Sequence, residues 1–136
     1  MRILGIDPGY ATVGTGIVDY CNPKFCLVGY GAVLTPPGVL MQRRLEMIYD
    51  ELTALIEKYQ PDCAAVEELF FTNNSKTVIA VAQARGVICL ALQKNGIPLF
   101  EYTPLQVKSS VTGYGKAEKA QVMEMTRMIL GMEKAA

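Results

Sequence analysis

The sequence predicts an α/β fold built on a five-stranded mixed sheet flanked by helices. Three observations point to it. β-rich runs separated by turn residues crowd the first 34 positions. Two later apolar runs each follow a stretch with helical spacing, as parallel crossovers require. Two of the short core runs end in an acid. With 136 residues, 51% of them hydrophobic, the chain fills one core and has no room for a second full domain, so residues 1–136 are read as a single domain.

The elements follow in order. Residues 2–7, R-I-L-G-I-D, are a short apolar run closed by Asp7-Pro8-Gly9, a buried strand that delivers Asp7 at its end. Residues 12–20 and 25–34 are β-rich and flank Cys21-Asn22-Pro23-Lys24, a hairpin turn, so three antiparallel strands open the fold. Gly14 and Gly16 interrupt the second strand and suggest a bulge or a close backbone approach. Thr35-Pro36-Pro37 reads as a helix start. Leu45, Ile48, Leu52, Leu55, Ile56 and Tyr59 then recur at helical spacing until Pro61. Residues 62–67, D-C-A-A-V-E, repeat the first strand's design and end on Glu67.

Asn73, Asn74 and Ser75 offer a cap for a helix from about Lys76 to Asn95 that is apolar nearly all round, which predicts burial by the core on one side and by a partner subunit on the other. A fifth strand at 98–102, a short helix opened by Thr103-Pro104, a loop at 112–116 and a last helix from about Ala117 to Leu130 complete the order.

Composition narrows the chemistry. Thirteen basic residues balance thirteen acidic ones, so any nucleic-acid surface must be a local patch. No histidine is present, which excludes Ser-His-Asp and Cys-His nucleophilic sites and imidazole zinc ligation. Cys21, Cys26, Cys63 and Cys89 form no C-x-x-C pair and read as structural. No charged leader precedes the first strand, and Gln83 and Arg85 interrupt the most apolar stretch. A cytoplasmic protein without a membrane span is expected.

In an open α/β sheet, ligands gather beyond the carboxyl ends of the strands. Asp7 and Glu67 both stand there, and they converge if their strands are neighbours. Converging carboxylates repel unless a cation lies between them, and hard oxygen donors without histidine favour Mg²⁺, with Mn²⁺ as a substitute. A two-ion version of such a site hydrolyses phosphodiesters. Either acid alone is better explained as a turn former or a solvated strand end; their matched placement is what points to metal.

Five segments carry a family resemblance: I-L-G-I-D-P-G-Y at 3–10, V-E-E-L-F-F at 66–71, Q-A-R-G-V at 83–87, Q-V-K at 106–108 and G-K-A-E-K-A-Q-V at 115–122. In order and spacing they resemble the RuvC family of bacterial Holliday junction resolvases. The resemblance implies a ribonuclease H-like fold, a homodimer and a branch-migration helicase complex as partner. It also implies Mg²⁺-dependent symmetric nicking of four-way junction DNA in recombination and repair.

Residue by residue, Asp7 matches the family's first catalytic aspartate and Glu67 its catalytic glutamate, the two implied metal ligands. Phe70 falls on the aromatic that reaches the junction centre, where stacking on an unpaired base is worth roughly 1–3 kcal/mol. Lys108 and Lys119 match DNA-binding lysines near the scissile phosphate, and Lys119 also counts among the implied catalytic residues. Lys76, Arg85 and Lys116 could extend the phosphate-binding surface, although such positions are more often simply solvated.

The family's pattern continues with two further acids in a D-x-x-D-A-like segment on a C-terminal helix, which nothing after Ala136 supplies. Glu133 precedes the point where that helix would begin and is not counted as a ligand. The expectation is a C-terminally truncated resolvase that binds junctions and cleaves them poorly or not at all. Two rivals stand beside it. One is a non-catalytic junction-binding module. The other is an actin-like or sugar-kinase-like ATP-binding domain, which shares the G-I-D-P-G opening but needs a second lobe.

Overall fold

The computed structural model describes residues 1–68 and 75–132. Its elements are β1 (Arg2–Asp7), β2 (Thr12–Cys21), β3 (Lys24–Leu34), α1 (Met41–Tyr59), β4 (Cys63–Glu67), α2 (Ser75–Lys94), β5 (Leu99–Tyr102), α3 (Pro104–Thr112) and α4 (Lys119–Leu130). The five strands form one mixed sheet in the order β3-β2-β1-β4-β5, with β1 antiparallel to β2 and parallel to β4. This is the sheet the sequence predicts.

Alternation along the strands separates two faces. Leu4 and Ile6 of β1, Val13 and Ile17 of β2, and Ala64 and Val66 of β4 point to one side and are buried against Ile48, Leu52 and Ile56 of α1 and Ala84, Ile88, Ala91 and Leu92 of α2. Full burial of a Leu or Ile contributes about 1.5–3 kcal/mol, so this layer supplies most of the apolar stabilisation. The other face carries Gly5, Asp7, Gly14, Gly16, Ala65 and Glu67, and helices α3 and α4 approach it from the β5 and β3 sides.

Two expectations are corrected. Helix α1 begins at Met41 behind Leu40, which makes no side-chain cap, and not at Thr35-Pro36-Pro37. Thr35 is buried and spends its hydroxyl on the Tyr10 carbonyl, so it is unavailable as a cap. The irregularity in β2 lies between Ile17 and Val18 of the β2–β3 ladder, just past Gly16 and not at either glycine. Gly14 does mark a close approach, whereas nothing lies within 4 Å of a Cβ built on Gly16.

Other terminators follow their local chemistry. Gln60 closes α1 in the left-handed region just before Pro61. Thr103 and Gln106 form a reciprocal capping box at the start of α3, with Pro104 at the first helical position, and Gly113 closes that helix. The last helix starts at Lys119, slightly later than expected, behind a second capping box formed by Glu118 and Gln121.

By length and composition alone, α2 is apolar enough to cross a membrane. Here it packs through Ala80, Ala84, Ile88, Ala91 and Leu92 along α1 and the sheet. Its neighbouring stripe Ile79, Gln83, Gly86 and Leu90 faces outward, so among the described residues one of its two expected burial surfaces is covered. All four cysteines are free thiols, Cys21 and Cys26 exposed and the other two partly buried.

Candidate active site

Parallel pairing of β1 with β4 is what brings the two acids together. Ile6 lies beside Val66, so the next residues along, Asp7 and Glu67, leave the sheet side by side on the open face. They rim a cavity of about 630 Å³ whose lining includes Gly14, Gly16, Tyr30, Tyr102, Val107 and Thr126.

Asp7 is exposed and Glu67 is half-buried. Burial holds the Glu67 carboxyl above its ordinary value. The Asp7 carboxylate pushes it further in the same direction, through its charge and through a hydrogen bond between the two side chains. Lys108 pulls the other way. Two carboxyl groups held side by side favour a cation between them. Their oxygen donors fit Mg²⁺ or Mn²⁺, ions that keep several waters and need few protein ligands. Among the described residues no third His, Cys, Asp or Glu joins them.

Local sequence explains why Asp7 can sit there. As the residue before Pro8 it is held to extended backbone, which suits a strand end. Directly across the ladder is Gly14, and a Cβ there would come within 3.4 Å of the Asp7 Cβ and 4.0 Å of a carboxylate oxygen.

Of the other residues singled out, Lys108 projects from α3 close enough to act electrostatically on Glu67. Lys119 is exposed at the first position of α4 and does not line the cavity, although α4 reaches it through Thr126. Lys76 and Lys116 are exposed. Arg85 is not a free phosphate ligand: it pairs with Glu101 of β5 at 2.9 Å. Phe70 and Glu133 lie outside the described residues.

The sequence reading missed Tyr102 and Tyr30. Tyr102 is the register partner of Glu67 on β5, and Tyr30 that of Gly16 on β3, so both stand on the same face as the acids. Only the alternation within each strand hinted at this; the register that places them was not visible.

Comparison with known proteins agrees with this fold. Residues 3–136 match the family model "Crossover junction endodeoxyribonuclease RuvC". The chain is 53% identical to RuvC of Fusobacterium nucleatum over 132 residues, covering 97% of this chain and 70% of that protein. It is 53% identical to RuvC of Clostridioides difficile over 134 residues, covering 98% and 79%. The structure of Thermus thermophilus RuvC in complex with a Holliday junction superposes with a TM-score of 0.94 at 33% identity, covering 100% of this chain and 83% of that one. The fold is therefore the ribonuclease H-like fold of that structure, and the chain belongs to the RuvC family of crossover junction endodeoxyribonucleases.

Proposed function

We propose that this chain is a structure-selective endonuclease acting in the cytoplasm on four-way DNA junctions, as one nuclease domain over residues 1–136 and as a homodimer. The observation that carries the reading is the convergence of Asp7 and Glu67 at the ends of two parallel neighbouring strands, in a chain of this family.

In this reading Asp7 and Glu67 hold Mg²⁺, with Mn²⁺ as a substitute. A divalent ion held there would supply Lewis acidity toward phosphoryl oxygen and lower the pKa of a bound water. Lys108 balances the carboxylates and offers a cation to the phosphate, and Lys119 extends that positive edge from the start of α4. Phe70 is assigned to the junction centre on the family match alone. The exposed Ile79 and Leu90 on α2 support a partner subunit there, and two sites related by a two-fold axis suit two symmetric cuts. A branch-migration helicase as a further partner rests on the family resemblance.

Among the described residues two carboxylates meet at the site, and this favours a second reading, junction binding with little turnover. One experiment separates them: nicking of a synthetic four-way junction in Mg²⁺ by this chain, by a version extended at its C-terminus, and by each with Asp7→Asn. Binding with Asp7-dependent nicking supports the endonuclease. Binding without cutting by either version leaves the binding module, and ATP binding without junction affinity would favour a kinase-like domain.

A further inference from the structure

Asp7 is exposed at the last position of β1, so its place beside Glu67 is set by the backbone that carries it and by the turn at 8–11 that follows. That turn is gripped by residues distant in sequence. Thr35, at 4% exposure, is the buried polar side chain of the described core. Its hydroxyl donates to the Tyr10 carbonyl at 2.6 Å and lies 3.4 Å from the Ala11 carbonyl oxygen, while its backbone N–H donates to that same oxygen at 2.9 Å.

From the first turn of α1, Arg44 donates to the Pro36 carbonyl at 2.8 Å and places its guanidinium 5.5 Å from the centre of the Tyr10 ring. The turn is also closed on itself, since a Cβ on Gly9 would collide with the Thr12 carbonyl oxygen.

This clamp has a use. Two facing carboxylates repel, and a loosely held strand end would let Asp7 swing away from Glu67.

We propose that Thr35 and Arg44 are positioning residues of the carboxylate site, clamping the 8–11 turn so that Asp7 keeps its place beside Glu67. The inference rests on the reading of Asp7 and Glu67 as metal ligands. Thr35 acts on the turn through its backbone carbonyls, and Arg44 through the Tyr10 ring.

The test measures Mn²⁺ affinity from the electron paramagnetic resonance signal of the free ion, alongside melting temperature, for the full chain and its variants. Thr35→Val keeps the shape and removes the hydroxyl. Mn²⁺ should bind on the order of tenfold more weakly, as when an outer-shell partner of a metal ligand is lost. Thr35→Ser restores the donor and should regain the affinity. Arg44→Met removes the guanidinium, keeps an apolar chain beside Tyr10, and should weaken Mn²⁺ in the same direction. A lowered melting temperature with wild-type Mn²⁺ affinity in both Thr35→Val and Arg44→Met would show a purely structural role and overturn the proposal. Asp7→Asn separates the two levels: if it leaves Mn²⁺ binding unchanged, the carboxylate reading itself fails, and the positioning role falls with it.

Discussion

Asp7 faces Gly14 across the β1–β2 ladder, and the missing side chain is what leaves the carboxylate open. A Cβ on Gly14 would sit in van der Waals contact with the Asp7 Cβ at 3.4 Å, so a branched side chain there would crowd the open side of the carboxylate. Gly14→Val should therefore lower Mg²⁺-dependent nicking and Mn²⁺ affinity on the order of tenfold. Its stability should hold or rise by up to about 1 kcal/mol, because valine suits a strand better than glycine. Wild-type metal affinity in a folded Gly14→Val protein would show that the close approach is irrelevant to the site.

Glu67 should make the metal-free protein less stable as pH rises. Its folded-state carboxyl is held above the ordinary value, first by burial and then by Asp7, so the folded state keeps a proton that the unfolded state releases. That contribution is complete below the ordinary glutamate range and is lost as pH climbs through the raised value. Glu67→Gln should flatten this slope and melt a few degrees higher than wild type near neutral pH without divalent ions. Mg²⁺ should close the gap by raising the wild type alone. Thermal melts across pH, with and without Mg²⁺, check this, and parallel wild-type and Glu67→Gln curves would count against it.

Lys108 opposes the upward push on Glu67, so Lys108→Met should move the Glu67-dependent loss of stability to higher pH. It should also reduce the slope of log junction affinity against log salt by about 1, the signature of one lost phosphate contact. Titrations at several salt concentrations measure the slope. An unchanged slope would remove Lys108 from the DNA interface while leaving its effect on Glu67 intact.

The outward stripe of α2 predicts a dimer sensitive to charge. Ile79 and Leu90 are 60% and 53% exposed although they lie on the most apolar helix. Burying such side chains gains about 1.5–3 kcal/mol each, and a two-fold interface counts every change twice. Ile79→Asp or Leu90→Asp should therefore weaken self-association at least about 100-fold in sedimentation equilibrium, with the monomer still folded. Unaltered sedimentation would place any dimer contact elsewhere.

Much of the fold was legible because it is written locally. Apolar residues at 45, 48, 52, 55, 56 and 59 mark one face of α1, and the Thr103-Pro104 start of α3 is a local capping signal. Thr35 shows where this stops. Beside two prolines it has the look of a helix cap, but a hydroxyl takes whichever acceptor the fold brings near, and here that is Tyr10, 25 positions earlier in the chain. Arg85 is similar: on the sequence it is a free cation, and only the packing of α2 beside β5 gives it Glu101.

For the site, the sequence by itself determined that two core strands end in Asp7 and Glu67, because an apolar run followed by a turn or a break is a local property. The tertiary structure alone decided that those strands are parallel neighbours, that Gly14 and Tyr102 flank the acids, and that Lys108 lies within electrostatic reach of Glu67. The reason is register. Alternation says which residues of one strand share a face, whereas which residues of two strands meet is fixed only when the ladder hydrogen bonds and the buried layer beneath them select one pairing.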